Sequence, residues 1–170
     1  RKSNGPVDSI LMETFDEALA QRGAKVLWRR LNFLKQFIPM ATSVFDELTG
    51  GGHELSLRYD GLADGLDDED AICQAFRERL SASMSTDQRR RYTTRGPHID
   101  DVVITLDEHV ARGHASQGQH RAIALALKIA ELRLAEATLQ APPILLLDDV
   151  SSELDQQRNA QLMASLDARQ

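Results

Sequence analysis

A chain of 170 residues with 42% hydrophobic residues suits one domain or one large lobe and can bury a real core, which excludes a disordered chain. A formal net charge of −6 excludes a wholly basic nucleic-acid binder, so any DNA contact has to come from a local patch or from polypeptide outside this chain. One cysteine, Cys73, rules out an internal disulfide and fits a reducing compartment; no apolar run nears the roughly 20 residues of a membrane span, and Arg1–Gly5 opens no signal peptide, so a cytoplasmic protein is expected.

Asn4-Gly5-Pro6 is a turn that can open a helix. From Val7 onward Ile10, Leu11, Phe15, Ala18 and Leu19 recur at helical spacing, and Gly23 is a place for a break or kink. Leu27, Leu31, Leu34 and Ile38 continue the periodicity until Pro39 interrupts it, and a short helix over Ala41–Leu48 is expected next. Trp28 is expected in the core. Gly50-Gly51-Gly52 reads as a loop, and His53–Tyr59 alternates apolar and polar residues as a half-buried strand does. Asp60–Asp70 is an acidic, Gly-punctuated loop. A helix follows from Glu69 to Arg91, apolar at Ile72, Phe76, Leu80 and Met84. Gly96-Pro97 makes a turn, Val102–Leu106 a strand, and a loop surrounds Gly113. A long helix runs from Ser116 to Leu139, Pro142-Pro143 stops it, Ile144–Leu147 is a strand, and a last helix covers Ser152–Leu166. The first ninety or so residues are thus mainly helical and the remainder alternates strand with helix, a division near Arg91.

Two stretches carry chemistry. Four apolar residues, Ile144–Leu147, suit a strand buried on both faces, and ligands of such sheets gather at the carboxyl ends of the strands. Asp148 and Asp149 stand there. Adjacent carboxylates repel, and a cation such as Mg²⁺ relieves the repulsion while keeping several of its own waters. Asp148 would hold a Mg²⁺-bound water and Asp149 would orient or deprotonate an attacking one. An ordinary core strand ending in an Asp-rich turn accounts for the same residues. The second stretch is Ser116-Gln117-Gly118-Gln119, ahead of an apolar helix. Ser116 and Gln119 fit a capping box, S-x-x-Q. Gly118 is outside that account, because glycine in a helix costs about 1 kcal/mol relative to alanine. A phosphate approaching the free N–H groups of the helix start would explain it. Cap and anion site both stay open.

Other polar residues are less specific. His53, His98, His109, His114 and His120 are scattered without a zinc-binding pattern. Arg89, Arg90, Arg91 and Arg95 are the densest basic cluster, either a solvated helix face or a contact to the DNA backbone.

Together these residues resemble the ABC-type ATPase superfamily. Ser116-Gln117-Gly118-Gln119 looks like its signature motif, Ile144–Asp149 like Walker B and Ser151–Asp155 like the D-loop. Within the superfamily the chain is similar to the RecF family of bacterial DNA replication and repair proteins. Gly96-Pro97-His98 followed by Asp100-Asp101, and Leu147–Val150 followed by Ser152–Asp155, look like stretches of that family, in the same order and spacing. Three departures stand out. Ile99 occupies a place where the family usually carries a basic residue, so no phosphate or DNA contact is expected from that side chain. Asp149 stands where most ABC ATPases use Glu, which implies slow hydrolysis. No G-x-x-x-x-G-K-[ST] phosphate loop is present.

The resemblance implies an α/β fold: a partial ABC-ATPase head over residues 92–170 and a mainly helical second lobe over residues 1–91, the middle-to-C-terminal part of a longer polypeptide. It implies ATP and Mg²⁺ as cofactors of the complete protein, with the chain by itself inactive. Two copies would sandwich ATP, Ser116, Gln117, Gly118 and Gln119 capping the γ-phosphate held by the other copy. Asp148 would support Mg²⁺, Asp149 would position water, and Ser152 and Asp155 would communicate across the homodimer. The expected partners are gapped DNA or a single-strand/double-strand junction, with RecR and RecO, in a pathway that loads RecA. Two alternatives were set beside this: a RecN-, Rad50- or SMC-type ATPase segment, disfavoured by the lack of a sustained heptad run, and a non-catalytic module that docks a repair partner.

Overall fold

A computed structural model describes residues 9–139. The described chain runs helix α1 (Ser9–Thr49), strand β1 (Leu55–Asp60), helix α2 (Glu69–Arg90), strands β2 (Asp101–Leu106) and β3 (His109–Val110), a short helix α3 (Ala111–His114) and helix α4 (Gln117–Leu139). The turn at Asn4–Pro6, the Pro142-Pro143 stop, the strand over Ile144–Leu147 and the last helix lie outside the described residues.

Two expected interruptions of α1 do not occur: the helix is continuous through Gly23 and Pro39. Gly23 is there for packing. A Cβ at this position would sit 2.4 Å from Cε1 of Phe76, so the missing side chain makes room for a fully buried ring from α2. Pro39 removes one backbone donor, but it and Lys35, whose carbonyl that donor would have served, are both exposed, so water can replace the bond. Trp28 is 38% exposed rather than part of the core, because the buried stripe of α1 passes through Ala20, Ala24 and Leu27 instead.

The described residues fall into two compact units, each discontinuous in sequence. The first contains residues 9–33 and 59–102. Its buried residues follow helical spacing: Ala20, Ala24 and Leu27 on α1, and Ile72, Phe76 and Leu80 on α2. Asp68 caps α2, its carboxylate accepting from Ala71 N at 2.9 Å, and Arg91 ends the helix in the left-handed conformation with its N–H on Asp87 O. Glu17 and Arg77 pair in a two-pronged bridge at 2.5 and 2.8 Å, and the guanidinium holds the Glu17 carboxyl down to about 2.

The second unit contains residues 34–58 and 103–139. Leu55 and Leu57 of β1 are buried and alternate with exposed residues, as expected for a half-buried strand. The strand order is β1-β2-β3. β2 and β3 form an antiparallel hairpin in which Thr105 faces Val110 and Leu106 faces His109. Its two turn residues, Asp107 and Glu108, have φ of 50° and 67°, the pattern of a type I′ turn. The loop expected around Gly113 is instead the short helix α3, closed by Ala115 N on Ala111 O. Ala122, Ile123, Leu125, Ala126, Ile129 and Ala130 make the buried face of α4. Arg133 anchors that helix with two bonds to Glu47, at 2.9 and 2.6 Å. No described helix is long and apolar enough to cross a membrane.

Candidate functional site

α4 is aimed by its packing, and its first turn is the site of interest. Ser116 is the residue before the helix, and the capping box is formed in full. Ser116 N donates to Gln119 Oε1 at 2.7 Å, and Gln119 N donates to Ser116 Oγ at 3.3 Å. The cap therefore occupies the N–H of Gln119. It leaves the N–H groups of Gln117 and Gly118 without an acceptor in the helix, since the first turn has none to offer. Ser116 and Gln117 are exposed, and Gly118 and Gln119 are half-buried. The arrangement fits an anion: two backbone donors without an intrahelical acceptor, a hydroxyl on an exposed residue and the positive end of a helix of 23 residues meet here.

His53, one of the scattered histidines, and Asp107, which no motif marks, both belong to this neighbourhood. His53 Nε2 lies 3.3 Å from Gln119 Nε2, and His53 Nδ1 lies 2.7 Å from Asp107 Oδ2. Asp107 also accepts from Glu54 N at 2.8 Å, and that backbone bond, with His53 second, holds its carboxyl below the usual range. His53 is 66 residues from Gln119 and 54 from Asp107, and no local pattern announces the contacts.

In the first unit the Gly-Pro-His segment is an internal support. Gly96 has φ of 140°, a region that side chains avoid, and Ile99 N closes the turn on Gly96 O at 3.0 Å. Pro97 O accepts from Arg30 at 2.9 Å, and His98 Nε2 lies 3.1 Å from Thr93 O. Asp100 accepts from the Tyr59 hydroxyl and from Leu62 N. Burial, and then this bond to Asp100, pushes the Tyr59 phenol up. Ile99 is 53% exposed, so a basic residue at this place would reach solvent. Asp101 is exposed, its carboxylate accepting from the N–H of Val102.

Arg89, Arg90, Arg91 and Arg95 are all exposed. The first three crowd the C-terminal end of α2, where cations also complement the helix dipole. Arg95 lines a pocket of about 300 Å³ with Arg79, Ser83, Thr86 and Thr94. Beneath them Asp87 is buried. Burial opposes its charge, but bonds from Thr94, through both hydroxyl and backbone, and from Ser83 outweigh that and hold the carboxyl below its ordinary value. Asp148, Asp149, Ser152 and Asp155 lie outside the described residues.

No family model matches the chain. Curated relatives do. The DNA replication and repair protein RecF of Myxococcus xanthus is 42% identical over 167 residues, covering 94% of this chain and 43% of the relative. That of Geobacter sulfurreducens is 41% identical over 157 residues, covering 91% and 43%, and that of Cyanothece is 37% identical over 166 residues, covering 97% and 44%. A solved structure of the recombination mediator protein RecF with ATP, in the RecFOR pathway, superposes with a TM-score of 0.85 at 34% identity, over 97% of this chain and 44% of that one. The chain thus spans a little under half the length of the relatives it matches. In sequence and in fold, the chain is similar to RecF proteins over that part of their length.

Proposed function

We propose that the chain supplies the dimer-facing part of the nucleotide site of a RecF-type ATPase that works in DNA recombination, replication and repair. The observation that carries the reading is the open first turn of α4, where Ser116 and Gln117 are exposed and the cap leaves two backbone donors unused. The likeness to a RecF structure with ATP supports it. Bound ATP and Mg²⁺ supply the triphosphate and its counter-charge. The chain's own groups do the rest. Ser116 and the N–H groups of Gln117 and Gly118 would receive the γ-phosphate held by a second copy. Asp148 would hold Mg²⁺ through a water, and Asp149 would orient or deprotonate an attacking water. Ser152 and Asp155 would communicate across the homodimer. The mainly helical lobe over residues 1–91 and the ATPase lobe over residues 92–170 act as one arm of a clamp on gapped DNA, with RecR and RecO as partners and RecA loading as the outcome. Arg89, Arg90, Arg91 and Arg95 provide a local contact to the DNA backbone despite the acidic whole.

Ser116→Arg tests the reading. In the complete protein that contains this chain, the long cation obstructs the approach of a second copy while the monomer still binds ATP. Sedimentation with ATP should show a monomer; a dimer of wild-type affinity would remove the cap from the site.

A further inference from the structure

The Ser116–Gln119 cap is held from behind by a line of side chains. Asp107 starts it, in the turn between β2 and β3. Its backbone N–H donates to Glu54 O at 2.9 Å, and its Oδ1 accepts from Glu54 N at 2.8 Å, so the carboxylate is fixed to the chain entering β1. Its other oxygen lies 2.7 Å from His53 Nδ1. An ionised carboxylate can only accept, so Nδ1 carries a proton, and in the tautomer with that single proton Nε2 is left as an acceptor. That acceptor faces Gln119 Nε2 at 3.3 Å, while Gln119 Oε1 accepts from Ser116 N. Turning the amide over would set its NH₂ against the Ser116 N–H and its oxygen against the His53 lone pair. Both ends of the Gln119 amide are therefore specified.

The geometry points to His53 as a positioning residue for the signature-like cap, with Asp107 fixing its tautomer. This rests on the reading of Ser116–Gln119 as the group that meets the partner copy's nucleotide. By holding the Gln119 amide, His53 holds the bond from Ser116 N to Gln119 Oε1, and it would do so without touching the nucleotide. The side chains of His53 and Asp107 are 41% and 52% exposed, so each link is modest.

The test exploits the two ends of the imidazole, in the complete protein with ATP. In His53→Gln the amide oxygen takes the place of Nε2 and can still accept from Gln119. In His53→Asn the amide nitrogen takes the place of Nδ1 and can still donate to Asp107. His53→Ala and His53→Asn should weaken ATP-driven dimerisation about three- to tenfold, the worth of one or two solvent-accessible hydrogen bonds. His53→Gln should return it close to wild type, with monomer affinity for ATP unchanged throughout. Rescue by Asn rather than Gln, or a His53→Ala protein that dimerises normally, overturns the assignment and leaves His53 as an anchor of the hairpin alone. Ser116→Arg measured alongside separates the two levels. If it dimerises normally, the cap reading itself fails. If it blocks dimerisation while His53→Ala does not, only the positioning role is lost. Nitrogen-15 spectra of the wild type give a check free of substitutions: protonated Nδ1 and bare Nε2 are expected, and the opposite tautomer overturns the proposal.

Discussion

Two buried residues of the first unit set measurable limits. Gly23 lies inside a helix, where alanine is ordinarily better by about 1 kcal/mol. Here the added methyl meets the Phe76 ring at 2.4 Å, and that ring is fully buried and has little room to withdraw. Overpacking of this kind costs about 1–3 kcal/mol and exceeds the helical gain. Gly23→Ala should therefore lower stability in urea unfolding, while Gly23→Ala combined with Phe76→Leu should recover part of the loss. Asp87 sets a pH limit. Its carboxyl is held below the ordinary 3.8 in the folded protein, so the stabilisation is complete above that value and is lost as pH falls through the lower, folded one. Asp87→Asn should cost about 1–3 kcal/mol at neutral pH, since the charge is lost and only one of the two oxygens that serve Thr94 and Ser83 remains to accept. Its acid unfolding curve should also be shallower than that of the wild type; parallel acid limbs would mean that Asp87 is not a source of the pH dependence.

At the scale of elements, sequence patterns place β1, α2, β2 and α4 to within a few residues, and three of them have a local signature: alternation at Leu55, Leu57 and Tyr59 for β1, the apolar spacing of Ile72, Phe76 and Leu80 for α2, and the S-x-x-Q box at Ser116 for α4. The errors arose where long-range packing decided. Nothing near Gly23 in sequence reveals the Phe76 ring, and the effect of Pro39 depends on which face of α1 meets water. The cap residues were legible and their support was not, since His53 and Asp107 reach Gln119 only through tertiary contact. The β2–β3 turn adds a prediction of its own. Glu108 at φ 67° bears a left-handed strain of about 1–2 kcal/mol that glycine does not, offset in part by the greater freedom of glycine in the unfolded chain. Glu108→Gly should raise the midpoint of urea unfolding by the equivalent of about 0.5–1 kcal/mol. An unchanged or lower midpoint would show that the strain is already relieved by the hairpin.

The whole chain offers less to a nucleotide than its site suggests, and magnitudes show why. An anion at one helix N-terminus gains about 0.3–1 kcal/mol, and about 2 kcal/mol in favourable geometry. Micromolar affinity needs about 8 kcal/mol. The difference has to come from a phosphate loop, and the 170 residues contain no G-x-x-x-x-G-K-[ST], while their net charge of −6 opposes a triphosphate. Calorimetry on the chain by itself should show no micromolar ATP binding and no turnover; either result would place a nucleotide cradle within these residues and reverse the division of labour proposed above. The complementary measurement belongs to the complete protein. If Asp149 orients the attacking water as proposed, Asp149→Asn should slow hydrolysis by about 10²–10³-fold. It should leave ATP-driven association intact if association depends, as proposed, on the cap at Ser116–Gln119 rather than on the attacking water. A variant that hydrolyses at the wild-type rate would move the water-positioning role to another residue. One that also fails to associate would mean that Asp149 helps to join the copies and does not act in catalysis alone.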